Sequence, residues 1–311
     1  MRLVTLVPTG TKIPFMRWRK AAAAASLALV VVSVGLFSLV GLKYGIDFLG
    51  GIMIEIRTER PADLADLRSR LGGLGLGEVE LQEFGAETDV LIRVERQQGD
   101  EKAQLAAADV VKKELGEGVE YRRVEFVGPK VGGELIRAGV TATLLALAAM
   151  LLYIWFRFEW QFGVGGVIAL LHDVILTIGV FAALGLEFNL STVAAILTIA
   201  GYSINDTVVV FDRVRENLRK FKKTEIKPLL DLSINQTLSR TLMTSVTTLI
   251  ALVALFVFGG PVVHDFAGAM IWGILVGTYS SIFVAGPLLI SMNVRHHDDA
   301  TETGGTEKKP A

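Results

Sequence analysis

The stretch LSTVAAILTIAGYSINDTVVVF, residues 190 to 211, decides the fold. As a helix it is long enough to cross a hydrocarbon layer roughly 30 Å thick, which takes about 20 apolar residues. It nevertheless carries Asn205 and Asp206. A charge inside a lipid-spanning helix costs about 2.5 to 3.5 kcal/mol even on the lenient insertion scale, so this carboxylate must face protein or water. At 100° per residue, Thr198, Gly201, Tyr202, Asn205 and Asp206 share one face, while Ile196, Ile199, Val208 and Val210 lie largely elsewhere. The stretch therefore reads as a membrane helix with a polar stripe that ends in an acid.

Five further stretches meet or approach the same length, near 21 to 42, 135 to 156, 163 to 185, 241 to 259 and 266 to 292. The whole chain agrees with that count: 51% of its 311 residues are hydrophobic and its mean hydropathy is +0.50, more apolar surface than a soluble domain needs. A net charge of -1 leaves no basic field for nucleic acid, and nucleic acid is excluded as a partner. With no cysteine, thiol redox chemistry, disulfides and cysteine-ligated metal are excluded as well. The first stretch follows Arg17, Arg19 and Lys20 as a signal peptide would, but its apolar run is long and no A-x-A site closes it before Lys43; it reads as an uncleaved anchor.

Basic residues cluster at the N-terminus, after the fourth stretch (Arg213 to Lys227) and in the tail (Arg295, Lys308, Lys309), which puts both termini in the cytoplasm. The connections around 187 to 189 and 260 to 265 carry no lysine or arginine and face outward. The organisation expected is thus a cytoplasmic N-terminus over 1–20, a first span over 21–42, an external region over 43–134, a five-helix membrane bundle over 135–292 and a disordered cytoplasmic tail over 293–311. In the external region Gly51 to Arg57 alternates as a strand, Pro61 opens a helix to Leu71, Val79 to Phe84 and Val90 to Glu95 form a hairpin, Asp100 to Gly116 is a second helix and Val119 to Val127 a closing strand. This order is that of the ferredoxin-like α+β motif. The fold class is an α-helical polytopic membrane protein with a small α+β domain between its first two helices.

The fifth stretch complements the fourth. Ser233, Thr237, Arg240, Thr244, Thr247 and Thr248 fall on one face. At 1.5 Å per residue, Asp206 lies about 24 Å from the outer start of its helix and Arg240 about 28 Å from the outer end of its own, so the two share a depth. A carboxylate beside an arginine stays ionised, and one that loses the arginine in low dielectric takes a proton. The competing reading is a structural ion pair, or an arginine snorkelling at the helix entrance. His172 and Asp173 in the third stretch are a candidate relay or a packing pair; adjacent residues lie 100° apart and need not face one cavity. Ser203, His172 and Asp206 come with no G-x-S-x-G elbow and no H-E-x-x-H zinc motif, so no enzymatic activity, metal or cofactor is expected. Gly273 and Gly277 make a small-xxx-small pair suited to close helix packing.

Several runs resemble one family. YGIDFLGG (Tyr44 to Gly51, with Gly45, Asp47, Phe48, Gly50 and Gly51) is similar to the signature with which SecD and SecF proteins leave their first helix. GYSINDTVVVFDRVREN from Gly201, SRTLMTSVTTL from Ser239, VGTYSSIFVAGP from Val276 and LHDV at Leu171 resemble the fourth-, fifth-, sixth- and third-helix motifs of the SecF family. The resemblance implies a bacterial inner-membrane subunit related to the resistance-nodulation-division transporters. It implies that the subunit works with SecD, the SecYEG channel, SecA and a YajC-like accessory subunit, surrounded by membrane lipid. The role it implies is to help draw unfolded preprotein across on the proton motive force after the ATP-driven stage. The family's intramembrane acid and arginine fall on Asp206 and Arg240, with Asn205 and Thr244 beside them. A small-molecule exporter of the same superfamily and a non-conducting Sec scaffold remain as alternatives.

Overall fold

The structure, a computed structural model, describes residues 10–77, 79–84, 86–99, 101–116, 118–127, 129–259, 261–292 and 294. The first nine residues and all of the expected tail except residue 294 lie outside them.

A short turn at Phe15–Arg17 leads into α1 (Arg19–Leu39). The chain then forms β1 (Lys43–Tyr44), α2 (Ile46–Leu49), β2 (Gly51–Thr58), α3 (Leu64–Gly72), β3 (Val79–Phe84), β4 (Ala86–Val94), α4 (Glu101–Leu115) and β5 (Val119–Val127). It returns through α5 (Pro129–Arg157), α6 (Trp160–Leu184), β6 (Glu187–Phe188), α7 (Leu190–Lys220) and α8 (Ile226–Phe258). The last span is α9 (Pro261–Ser280), a π-helical segment over Ser281–Ala285, and α10 (Gly286–Ser291). Among the described residues six helices, the last of them composite, are long and apolar enough to cross a membrane.

The extramembrane region is a four-stranded antiparallel sheet in the order β3-β4-β2-β5. Alternation explains its core: Ile52, Ile54 and Ile56 of β2 point to one face beside Val90, Ile92 and Val94 of β4, and Leu67, Leu71, Val111 and Leu115 of α3 and α4 close over them. Asp63, not Pro61, starts α3, because its carboxylate accepts the amides of Ala65 and Asp66 that the first turn leaves unpaired. Buried in the sheet, Asp89 accepts from Nε and Nη2 of Arg57 at 2.6 and 2.7 Å, a bidentate contact that holds its carboxyl below the usual range.

The bundle is arranged for lipid. On α1 Ser26 and Ser33 are buried while Leu27, Val31 and Leu39 are exposed. Small residues set the helix spacing: a Cβ on Gly179 of α6 would stand 2.3 Å from Ser33 Cβ, and one on Gly273 of α9 would meet three side-chain carbons of Ile199 at 2.3 to 2.7 Å. Several helices run further than the apolar stretches suggest: α5 starts at Pro129, α7 continues to Lys220 and the last span starts at Pro261. α8 starts at Ile226 rather than near 241, because Leu229, Leu230, Ile234 and Leu238 recur at helical spacing and are buried in the core with Phe15, Met16 and Leu289. The π segment precedes Pro287, which has no N–H to bond back to Phe283, and the wider turn accommodates its ring.

Candidate functional site

Among the described residues, three polar arrangements hold the predicted site residues, two inside the bundle and one at its junction with the extramembrane domain. The first is Asp206 on α7, which is 3% exposed and has no hydrogen-bond partner at Oδ2. Arg240 of α8 acts on this carboxylate electrostatically, yet among the described residues no ion pair joins them. The predicted stripe on α7 straddles a boundary: Asp206 turns into the bundle, Thr198 and Asn205 lie on the outside, and Tyr202 between them keeps a buried, unpartnered hydroxyl. Arg240 and Thr247 of α8 are also exposed, while Ser233 and Thr237 of the same predicted face are buried. The hydroxyl of Thr244 donates to the carbonyls of Arg240 and Thr241 in its own helix, at 3.1 and 2.9 Å. Asn205 and Arg240 are therefore polar groups at membrane depth, open on this chain, and such groups face a partner or a wet cavity; the Thr247 hydroxyl is satisfied by the Met243 and Thr244 carbonyls of its own helix.

The second arrangement centres on Asp173, 0% exposed. Its Oδ2 accepts from Ser203 of α7 at 2.5 Å and from Ser280 of α9 at 2.7 Å, and its Oδ1 lies 2.9 Å from His172 Nδ1. His172 and Asp173 thus meet in one place despite their 100° separation. The imidazole stacks on Tyr279, whose hydroxyl donates to the Ala22 carbonyl of α1 and contacts Ser26. One carboxylate with its histidine so ties together α1, α6, α7 and α9. Close approach makes this possible: a Cβ on Gly277 would stand 3.1 Å from Ser203 Cβ. His172 Nε2 is buried and unpartnered.

The third arrangement joins the extramembrane domain to the start of α7. β1 pairs in parallel with β6, the Gly45 amide donates to the Phe188 carbonyl at 2.9 Å, and a Cβ on Gly45 would collide with the Glu187 carboxylate. Asp47 Oδ2 accepts the amide of Leu190, the first residue of α7, at 3.0 Å, beside an Asn189–Thr192 capping box. Phe48 stacks on Phe188 at 5.9 Å. Gly50 (φ 73°) and Gly51 (φ 127°) turn the chain straight into β2, where a side chain on Gly51 would strike the Val94 carbonyl. From the sheet, Arg93 pairs with Glu187. Burial, with Asp47 and Asp265 close by, pushes the Glu187 carboxyl above its ordinary range against the pull of Arg93 and Lys43. The motif that leaves the first helix is thus a joint between β2 of the domain and the helix that carries Asp206. Its residues stand out in the sequence; their partners Glu187, Leu190 and Arg93 carry no local signal. The described residues hold no cluster of three or more acids and histidines that could bind a metal.

Six spans, an α+β domain inserted after the first, and buried carboxylates in the bundle define a polytopic membrane transport subunit. A family profile described as protein export membrane protein SecD/SecF, C-terminal, matches residues 107–295, and a SecD/SecF GG motif profile matches 35–62. The protein translocase subunit SecF of Rickettsia bellii (strain OSU 85-389) is 47% identical over 288 residues, covering 91% of this chain and 94% of that protein. SecF of Vibrio alginolyticus is 47% identical over 286 residues, covering 91% and 90%. The crystal structure of SecDF, a translocon-associated membrane protein from Thermus thermophilus, superposes with a TM-score of 0.83 at 39% identity over 93% of this chain. The chain spans 40% of that SecDF chain's length. It belongs to the SecF family of protein translocase subunits and serves in Sec protein export.

Proposed function

We propose that this chain is one half of a proton-driven export device whose other half is SecD, and that Asp206 is the group on this half that takes up and releases the proton. The observation that carries the reading is a carboxylate oxygen buried at membrane depth without a partner, with Arg240 near enough to act on it but not in contact. Arg240 is the counter-charge: approach favours the ionised acid, withdrawal the protonated one. A charge crossing 100 mV carries about 2.3 kcal/mol, enough to bias a helix rearrangement. Movement of α7 reaches the domain through Asp47 and the β1–β6 pairing, and the domain acts on unfolded preprotein emerging from SecYEG after the SecA stage, with a YajC-like subunit alongside. Asp173 and His172 serve as the packed hub about which the helices are held. Orientation with both termini in the cytoplasm is supported by Arg17, Arg19, Lys20 and the basic run after α7 at one end, and by connections without lysine or arginine at the other. In vesicles holding SecYEG, SecA and SecD, Asp206→Asn is expected to abolish the proton-dependent part of export while SecD still co-purifies; an unchanged export rate at full potential refutes the proposal and favours a scaffold.

A further inference from the structure

A groove of about 660 Å³ runs between α1, α6 and the α9–α10 span, away from the Asp206 face and the domain joint. Its mouth is at the start of α1, where Arg19 and Lys20 line it. Trp18 caps that helix without a side-chain hydrogen bond, and no acid stands in the first turn. The free amides, the positive end of the helix dipole and two cations so coincide, which is where an anion is held. Trp18 itself is 62% exposed, as aromatic side chains are at a membrane interface. Beyond the mouth the wall turns apolar, with Leu27, Val30, Leu171 and Ile175. From Arg19 to Val30 is about 16 Å of helix, about half the hydrocarbon layer. The lining contains one polar side chain more than nine-tenths buried that lacks a full set of partners: His172, whose Nδ1 is on Asp173 and whose Nε2 is free. Among the described residues no acid lines the groove.

We propose that this groove is a binding site for an anionic phospholipid, with the phosphate on Arg19, Lys20 and the first-turn amides and an acyl chain laid over Leu27, Leu171 and Ile175. The charge pattern selects an anionic head over a zwitterionic one, and one leaflet of depth matches a lipid tail. The same lipid would hold α1 against the Tyr279–His172 contact, which joins the site to the hub at Asp173.

The test is native mass spectrometry of the full chain purified with SecD, delipidated and titrated with phosphatidylglycerol or with phosphatidylcholine. Phosphatidylglycerol is expected to be retained preferentially. Arg19→Ala with Lys20→Ala should weaken it about thirtyfold, the loss expected for two interfacial cations. Leu171→Trp, at a position 50% exposed, should block the groove without altering charge. Millimolar inorganic phosphate should not displace the lipid, since the chain supplies much of the binding. Equal retention of phosphatidylcholine overturns the proposal, as does unchanged binding in the Arg19/Lys20 variant. A photoreactive group at Leu171 that captures polypeptide rather than lipid assigns the groove to a partner helix instead.

Discussion

Replacing Asp173 separates the two roles its position allows. Asp173→Leu removes the acceptor of Ser203 and Ser280 and the partner of His172, all in a site with 0% exposure. Interhelical hydrogen bonds within membranes average about 0.6 kcal/mol and reach about 1.7, so the two serine contacts together contribute about 1 to 3 kcal/mol. Stranding the histidine nitrogen adds a loss of similar order. The total of about 2 to 6 kcal/mol, at no more than about 2 °C per kcal/mol in a chain longer than 250 residues, should lower the melting temperature of Asp173→Leu by up to about 12 °C. Asp173→Asn is different. Its Oδ1 can still accept from a serine, the other serine can rotate to accept from the new amide, and the volume is kept. The assay is thermal unfolding of the purified complex in detergent, paired with export in vesicles. A packing hub predicts that Asn stays within about 3 °C of wild type and exports, while Leu fails in both. Wild-type melting of Asp173→Asn with export abolished would refute the hub and show that a titrating acid is required there.

Three further predictions concern the joint and the helix spacing. Asp47→Ala, which removes the acceptor of the Leu190 amide, should cost about 1 kcal/mol of local stability and uncouple the domain. Hydrogen exchange should rise at residues 190–193, Asp47→Asn should restore protection, and unchanged exchange in the Ala variant would contradict the assignment. Arg93→Ala leaves the Glu187 carboxylate half-buried beside Asp47 and Asp265. Because burial already raises this acid, the folded state binds its proton more readily than the unfolded chain does, and stability falls as pH rises from 4.5 through the raised value. The Arg93→Ala defect at the joint should therefore be largest at pH 7.5 and shrink toward pH 5, and a defect independent of pH would show the ion pair to be irrelevant. Gly273→Ala drives a methyl into Ile199 and should destabilise by about 1 to 3 kcal/mol; Ile199→Ala in the same chain should recover part of the loss, and additive losses would contradict the close α7–α9 contact.

What was legible in the sequence followed from periodicity and length. Six apolar stretches announce six spans, and the alternation of β2 with the helix and strand signals that follow it gives the element order of the domain, with β3 and β5 at their observed bounds. Bounds failed where a helix continues on amphipathic rather than wholly apolar sequence, as α7 does to Lys220 and α8 does from Ile226. The acid at Asp206 was visible because a carboxylate is costly in lipid. Its surroundings were less so: helical spacing put Asn205 and Asp206 on one stripe, but the stripe lies at the edge of the buried face, so Asn205 points out and Asp206 in. The fifth-stretch threonines share one face by helical spacing, yet Thr244, Thr247 and Thr248 spend their hydroxyls on their own helix carbonyls. Contacts such as Asp173 with Ser280, 107 residues apart, and Asp47 with Leu190, 143 apart, exist only once the helices are packed, and no local pattern encodes them.

The most direct measurement is proton entry into vesicles that hold the complete complex, comparing wild type, Asp206→Asn and Arg240→Lys under an imposed potential, with and without SecD. A buried acid that exchanges its proton under the control of a movable arginine predicts flux in the wild type only when SecD is present, loss of flux and of proton-dependent export in Asp206→Asn, and a partial defect in Arg240→Lys, where the charge is kept and the planar fork lost. Undiminished proton entry and export in Asp206→Asn would contradict the account.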